Sequence, residues 1–105
     1  MSNRFTPDIL LQAEDPHAAA AFYVDVLGFR IDQSTPAMVT IKGPHINMFI
    51  TRDPPLGPVL EVKVESLAAA KAEIVRRGGA ILREEPEVPR CYVRDPFGMV
   101  YNLAE

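Results

Sequence analysis

The chain has no tryptophan, a single cysteine (Cys91) and two histidines (His17 and His45) among its 105 residues. One cysteine cannot close an internal disulfide, so a reducing, cytoplasmic setting is expected rather than a disulfide-stapled secreted one. Two imidazoles and one thiol leave few nitrogen and sulfur ligands for a zinc-type centre. No apolar run approaches the roughly 18 residues needed to cross a bilayer, and the polar opening Met1-Ser2-Asn3-Arg4 lacks a signal-peptide core. Basic residues are also in deficit. There are 11 Lys and Arg against 14 Asp and Glu, a net charge of −3. That argues against nucleic acid as the main partner, because phosphate neutralisation needs a basic face. With 48% apolar and 24% charged residues, the chain has the makeup of one folded globular domain with a modest core.

A repeat organises what is present. The turn glycines Gly28 and Gly79 lie 51 residues apart, and the same offset pairs Asp15 with Ser66, Ile9 with Leu60, Leu11 with Val62, Ala13 with Val64 and Ile31 with Leu82. Apolar positions, caps and turns carry over even where identity does not, which is the mark of a duplicated unit. In the first copy, Ile9, Leu11 and Ala13 alternate as in a half-buried strand over 8–14. Asp15-Pro16 is an N-cap followed by proline at the first helical position, so a helix is predicted from there to Leu27, ended by Gly28. Strands are predicted over 29–33, 37–42 and 45–51. In the second copy a strand over 59–65 precedes Ser66, which caps a helix over 67–77. Strands follow over 80–84, 88–94 and 99–104, the last two joined by the turn Asp95-Pro96-Phe97-Gly98. The order is strand–helix–strand–strand–strand, twice: module one over 5–52, a proline-rich connector over 53–58 and module two over 59–105, all within one domain.

Two segments resemble a known superfamily. Residues 15–29, Asp-Pro-His-Ala-Ala-Ala-Ala-Phe-Tyr-Val-Asp-Val-Leu-Gly-Phe, resemble the first-module signature of the vicinal oxygen chelate proteins. These include glyoxalase I, fosfomycin and bleomycin resistance proteins and extradiol dioxygenases. Residues 94–103, Arg-Asp-Pro-Phe-Gly-Met-Val-Tyr-Asn-Leu, resemble its closing hairpin and last strand. The resemblance implies an α+β fold of two tandem βαβββ modules whose curled mixed sheets enclose a cleft for small molecules, commonly across a homodimer.

The resemblance also implies where a divalent metal would be held. The first-strand ligand positions are Asp8 and Val59, and the last-strand position in module two is Asn102, with Met48 or Ile50 as its module-one counterpart. Val59 has no donor atom and Met48 offers a soft thioether, while an Asp and an amide oxygen are too few to cage a cation. No metal and no cofactor are therefore expected. Strand parity then selects a cup lining. Asp8 with Leu10, Met38 with Thr40, and Met48 with Ile50 are expected there in module one, and Arg90, Tyr92 and Arg94 with Asn102 in module two. Methionine adapts its shape to a ligand, Tyr92 could stack on a planar ring and Arg90 could pair with a carboxylate or phenolate. His17 and His45 read as solvated, Cys91 as a small buried hydrophobe, and Phe22 and Tyr23 as core. Glu61 and Lys63 read as a wet part of the cleft.

The ranking that follows puts a metal-free protein that binds a small planar organic molecule in a dimer cleft first. A metal-dependent lyase, isomerase or dioxygenase of the same superfamily comes second, and metal-free acid–base catalysis by Glu61 or Asp8 third. Asp8, Met38, Met48, Arg90, Tyr92 and Asn102 are the ligand-binding candidates. A homodimer is expected because an open curled sheet leaves edges to cover.

Overall fold

The computed structural model describes residues 3–87 and 90–105. Its elements are β1 (Arg4–Gln12), α1 (Pro16–Leu27), β2 (Arg30–Ser34), β3 (Met38–Lys42), β4 (Asn47–Thr51), β5 (Val59–Lys63), α2 (Leu67–Arg76), β6 (Ala80–Glu85), β7 (Arg90–Arg94) and β8 (Val100–Ala104). The predicted element order holds, giving an α+β fold. The strand predicted over 88–94 is described from Arg90 onward, and positions 88 and 89 lie outside the described residues. β4 starts at Asn47, so His45 sits in the bend before the strand and not in it. Among the described residues, no helix is long and apolar enough to cross a membrane.

The chain groups into two compact units. One is Pro7–Pro58; the other is Val59–Glu105 together with the residues ahead of Pro7. The start of β1 thus belongs with module two: Asn3 Oδ1 accepts the Glu65 N–H at 3.1 Å, Thr6 Oγ1 donates to Glu61 Oε1 at 3.1 Å, and the Phe5 ring meets Tyr101 edge-on at 6.3 Å. The connector groups with module one, where the Leu56 N–H donates to Gln12 Oε1 at 2.9 Å.

Module one is a four-stranded mixed sheet in the order β2-β3-β4-β1, with β1 and β4 parallel and the other pairs antiparallel. Helix α1 starts where Asp15 Oδ1 accepts the N–H groups of His17 and Ala18, both at 3.1 Å, a cap worth about 1 kcal/mol. It stops at Gly28, whose φ of 80° is the left-handed conformation that a missing Cβ makes inexpensive. The core under the helix is Ala20, Val39, Ile41, Met48 and Ile50, with Leu11, Ala19, Tyr23, Val24 and Phe29 packed around it. Each large apolar side chain buried there contributes roughly 1.5–3 kcal/mol.

Module two repeats the plan as β5-β8-β7-β6, with β5 and β8 parallel. Ser66 Oγ accepts the Ala69 N–H at 3.1 Å and caps α2. Its core is Val64, Cys91, Val93 and Leu103 against Val62, Leu67, Ala70, Ile74 and Tyr101. The residue that takes the left-handed turn after α2 is Gly78, with φ of 102°, and not Gly79. Gly79 serves a different need: a Cβ there would lie 2.6 Å from Ile74 Cγ2 and 2.7 Å from the Arg94 carbonyl oxygen. The duplication extends to a β-bulge in each module, after Ile31 in β2 and after Ile81 in β6, which leaves Asp32 and Leu82 as the extra residues.

Candidate binding site

Each sheet has one face on its helix and one face away from it, and period-two alternation sorts the side chains. In module one, Val39, Ile41, Met48 and Ile50 belong to the helix side. The opposite, cup face therefore carries Asp8 and Leu10 from β1, Met38 and Thr40 from β3, and Asn47, Phe49 and Thr51 from β4. The register agrees, pairing Asp8 with Asn47, Leu10 with Phe49 and Thr40 with Phe49.

This corrects the expected lining. Met48, 8% exposed, and Ile50 are core residues and do not face the cup. Both alternating sets of β4 contain apolar residues, so its own pattern does not settle its parity. The pairing of Val39 with Ile50 and of Ile41 with Met48 does, and a slip of one residue exchanges the faces. Phe49 takes the place that Met48 was expected to hold. Asp8 and Met38 lie on the cup face as expected.

A cavity of about 390 Å³ opens on this face, lined chiefly by Asp8, Met38, Thr40, Lys42, Asn47 and Phe49. Its polar groups are held in place. Asn47 Nδ2 donates to Asp8 Oδ1 at 2.9 Å, and Thr40 Oγ1 accepts the Gln33 N–H at 3.1 Å. The bulge at Asp32 brings Asp32 and Gln33 to the rim, with Thr40 Oγ1 donating to Asp32 Oδ2 at 3.4 Å. Phe49 and Asp32 were not among the expected site residues; the first follows from β3–β4 pairing, while a bulge leaves no clear mark in sequence.

In module two, Cys91 and Val93 face the helix as expected, so Tyr92 lies on the cup face. A register row crosses that face: Glu61, Asn102, Tyr92 and Arg83 are successive partners on β5, β8, β7 and β6. The Arg90 guanidinium lies 5.4 Å from the centroid of the Tyr92 ring, a cation–π contact, and 3.7 Å from Glu85, which also pairs with Arg83. Tyr92 is 4% exposed, so it belongs to the packed part of the face. Asn102, 5% exposed, has its amide oxygen committed: Oδ1 accepts the buried Cys91 N–H at 2.9 Å. A second hollow of about 460 Å³, at the ends of β5 and β8, is lined by Glu61, Lys63, Asn102 and Ala104 together with Leu67, Leu103 and Glu105. On the other face, burial and the nearby Glu84 carboxylate push the Cys91 thiol above its ordinary range, so it stays protonated near neutral pH.

The donor set can now be tested against a divalent cation. Leu10 and Glu61 hold equivalent places before their helix caps, and they pair with Phe49 and Asn102 respectively. The module-one equivalent of Asn102 is therefore Phe49. Phe49 and Val59 carry no donor atom, the Asn102 oxygen is taken by a backbone N–H, and Asp8 is tied to Asn47. These residues do not fit the metal that the superfamily resemblance implies. Among the described residues, no group of three or more His, Cys, Asp or Glu side chains is placed to hold an ion.

Comparison with known proteins places the fold in a family. The glyoxalase-like domain family matches residues 8–104, and the chain belongs to that family. No curated protein matches it. Among solved structures, a glyoxalase/bleomycin resistance protein/dioxygenase superfamily member from Vibrio splendidus 12B01 superposes with a TM-score of 0.66 at 15% identity, over 97% of each chain. An NAD-dependent benzaldehyde dehydrogenase from Legionella pneumophila gives 0.69 at 14% identity, over 96% of each chain. Methylmalonyl-CoA epimerase from Mycobacterium tuberculosis gives 0.57 at 16% identity, over 91% of this chain and 83% of that one. At such identities the likeness is one of fold, and one fold hosts several chemistries.

Proposed function

We propose that this member of the glyoxalase-like family is a metal-independent binding protein for a small, planar organic molecule, acting as a homodimer. The observation that carries the reading is the module-one cavity. Its volume of about 390 Å³ falls within the range of small-molecule sites, and its lining joins Phe49 and Met38 to the fixed polar groups of Asp8, Asn47 and Thr40. An aromatic face and an adaptable thioether suit a flat ligand, and the oriented carboxylate supplies direction. Arg90 is the anion-pairing candidate of module two.

The test is a thermal-shift screen of planar organic compounds with metal analysis of protein purified without chelator. A ligand that binds only the native state raises the melting temperature in proportion to its occupancy. The stabilisation is expected in the native sequence and lost in Phe49→Ser and Asp8→Asn. A library without hits, equal shifts in both variants, or stoichiometric metal required for binding would overturn the reading.

A further inference from the structure

One register row on the cup face of module one is unevenly neutralised. It runs Asp8, Asn47, Lys42 and Arg30 across β1, β4, β3 and β2, each a direct partner of the next. Partners in a ladder share a face, so the row edges the cavity that Asp8, Asn47 and Lys42 line. The acids nearby are accounted for. Asp8 Oδ1 accepts from Asn47 Nδ2 at 2.9 Å, and Asp32, carried to the rim by the bulge, accepts from the Thr40 hydroxyl. The two cations are not. Among the described residues, no carboxylate lies within ion-pair distance of Lys42 or Arg30, and neither side chain donates a hydrogen bond. Asp8 stands two strand spacings from Lys42, about 10 Å, too far to serve as its counter-ion.

Like charges set directly opposite each other destabilise a sheet. Lys42 is also partly buried, which costs a lone ammonium some of its hydration. What the pair offers in return is a set of unused donors, three on the ammonium and a planar fork on the guanidinium. Resting on the planar-ligand reading above, we infer that the ligand of this cavity is a planar organic anion. Its anionic group lies between Lys42 and Arg30, and its ring system covers Phe49.

The ladder sets the ligand's length. Thr40 is the partner of Phe49, and Lys42 stands two residues farther along β3, about 7 Å away. That span fits a two-ring aromatic acid and is long for a single ring. Asp8, fixed by Asn47 at the other end of the row, repels a second anionic group, so the site selects a monoanion.

Titration of the full chain with β-naphthoate, neutral β-naphthamide and cationic β-naphthamidine, read by naphthyl fluorescence, separates charge from shape. β-Naphthoate is expected to bind about 10-fold more tightly than the amide. That margin shrinks as salt rises from about 0.05 to about 0.5 M. Lys42→Met, which keeps the apolar stem, and Arg30→Gln each remove most of the margin, whereas Lys42→Arg keeps it. The unliganded Arg30→Gln chain melts no lower than the native chain, because the two cations repel; a marked fall would make Arg30 structural and overturn its role. An amide or amidine bound as tightly as the acid, or a margin indifferent to Lys42→Met and Arg30→Gln, overturns the anion site and spares the planar-ligand cavity. A margin lost in Arg90→Gln instead places the anion in module two and overturns the assignment to β2 and β3. Binding of none of the three probes overturns the anion site outright, and the planar-ligand reading is then judged by the thermal-shift screen.

Discussion

Replacing Asn102 by leucine tests whether its amide serves the fold. In module two, the Asn102 Oδ1 is the acceptor for the Cys91 N–H at 2.9 Å, and both residues are nearly inaccessible, at 5% and 1% exposed. The ladder between β7 and β8 begins at the Tyr92–Asn102 pair, so the side chain satisfies the amide one residue outside it. Leucine matches asparagine closely enough in shape to avoid a large cavity, yet accepts no hydrogen bond. The Cys91 N–H would then be buried without a partner, at a cost of about 1–3 kcal/mol. For a domain of this size, 2 kcal/mol corresponds to a fall in melting temperature of roughly 8–16 °C.

Urea denaturation with hydrogen exchange on the same sample separates this from other losses. Asn102→Leu is expected to be less stable by about 2 kcal/mol, with protection of the Cys91 amide falling further than that of Val93. A variant within about 0.5 kcal/mol of the native protein, with unchanged exchange at Cys91, would refute the assignment. A residue that only held a ligand would show its effect with ligand present and little without it.

Gly78→Ala should cost about 1–2 kcal/mol through its left-handed φ, and Gly79→Ala at least as much through contact with Ile74 and the Arg94 carbonyl; a neutral Gly79→Ala in chemical denaturation would contradict the close approach. Met48→Ala should cost about 2–5 kcal/mol as a core truncation, whereas Phe49→Ala, on the cup face, should cost less and act on ligand binding; the reverse order would return Met48 to the cup. At high pH, burial holds the Cys91 thiol and, with help from Asp95, the Tyr101 phenol above their ordinary values, so stability is complete below the unfolded values near 8.5 and 10 and falls as pH climbs past them. Melting temperature against pH should show that alkaline fall, and Cys91→Ala should remove its thiol portion. Hydrogen bonds from Arg76 and Arg77 hold Glu73 at about 2, so its contribution is present above the unfolded carboxylate value and lost as pH falls towards 2; an NMR titration placing Glu73 near 4.5 would dismiss these pairs.

What was legible in the sequence was whatever local chemistry decides. Asp15-Pro16 and Gly28 bound α1 because a carboxylate cap, a proline ring and a left-handed turn each act within a few residues. The Asp95 turn is equally local: its Oδ1 accepts the N–H groups of Phe97 and Met99, and Gly98 takes φ of 97°. Strand parity in β4 was not legible, since which of Met48 and Phe49 turns inward depends on Val39 and Ile41 across the ladder. Nor was the division between Gly78 and Gly79, because the demand on Gly79 comes from the carbonyl of Arg94 in a different strand. The expected role of Asn102 shared that weakness: its partner, the Cys91 N–H, is known only once β7 and β8 are aligned.

The two modules keep one plan but have specialised their cup faces differently, and that difference bears on chemistry. At the first-strand position module one has Asp8 where module two has Val59. At the last-strand position it has Phe49 where module two has Asn102. A carboxylate and an aromatic ring beside a cavity make a surface that can orient and cover a flat molecule. A buried valine and an amide oxygen that accepts the Cys91 N–H of the next strand make a surface occupied with holding strands together, and the Arg90–Tyr92 stack with Glu85 bracketed by two arginines extends that network. Selectivity for a ligand is therefore expected to reside in β1, β3 and β4, whose cup-face side chains Asp8, Met38, Thr40, Asn47 and Phe49 line the module-one cavity.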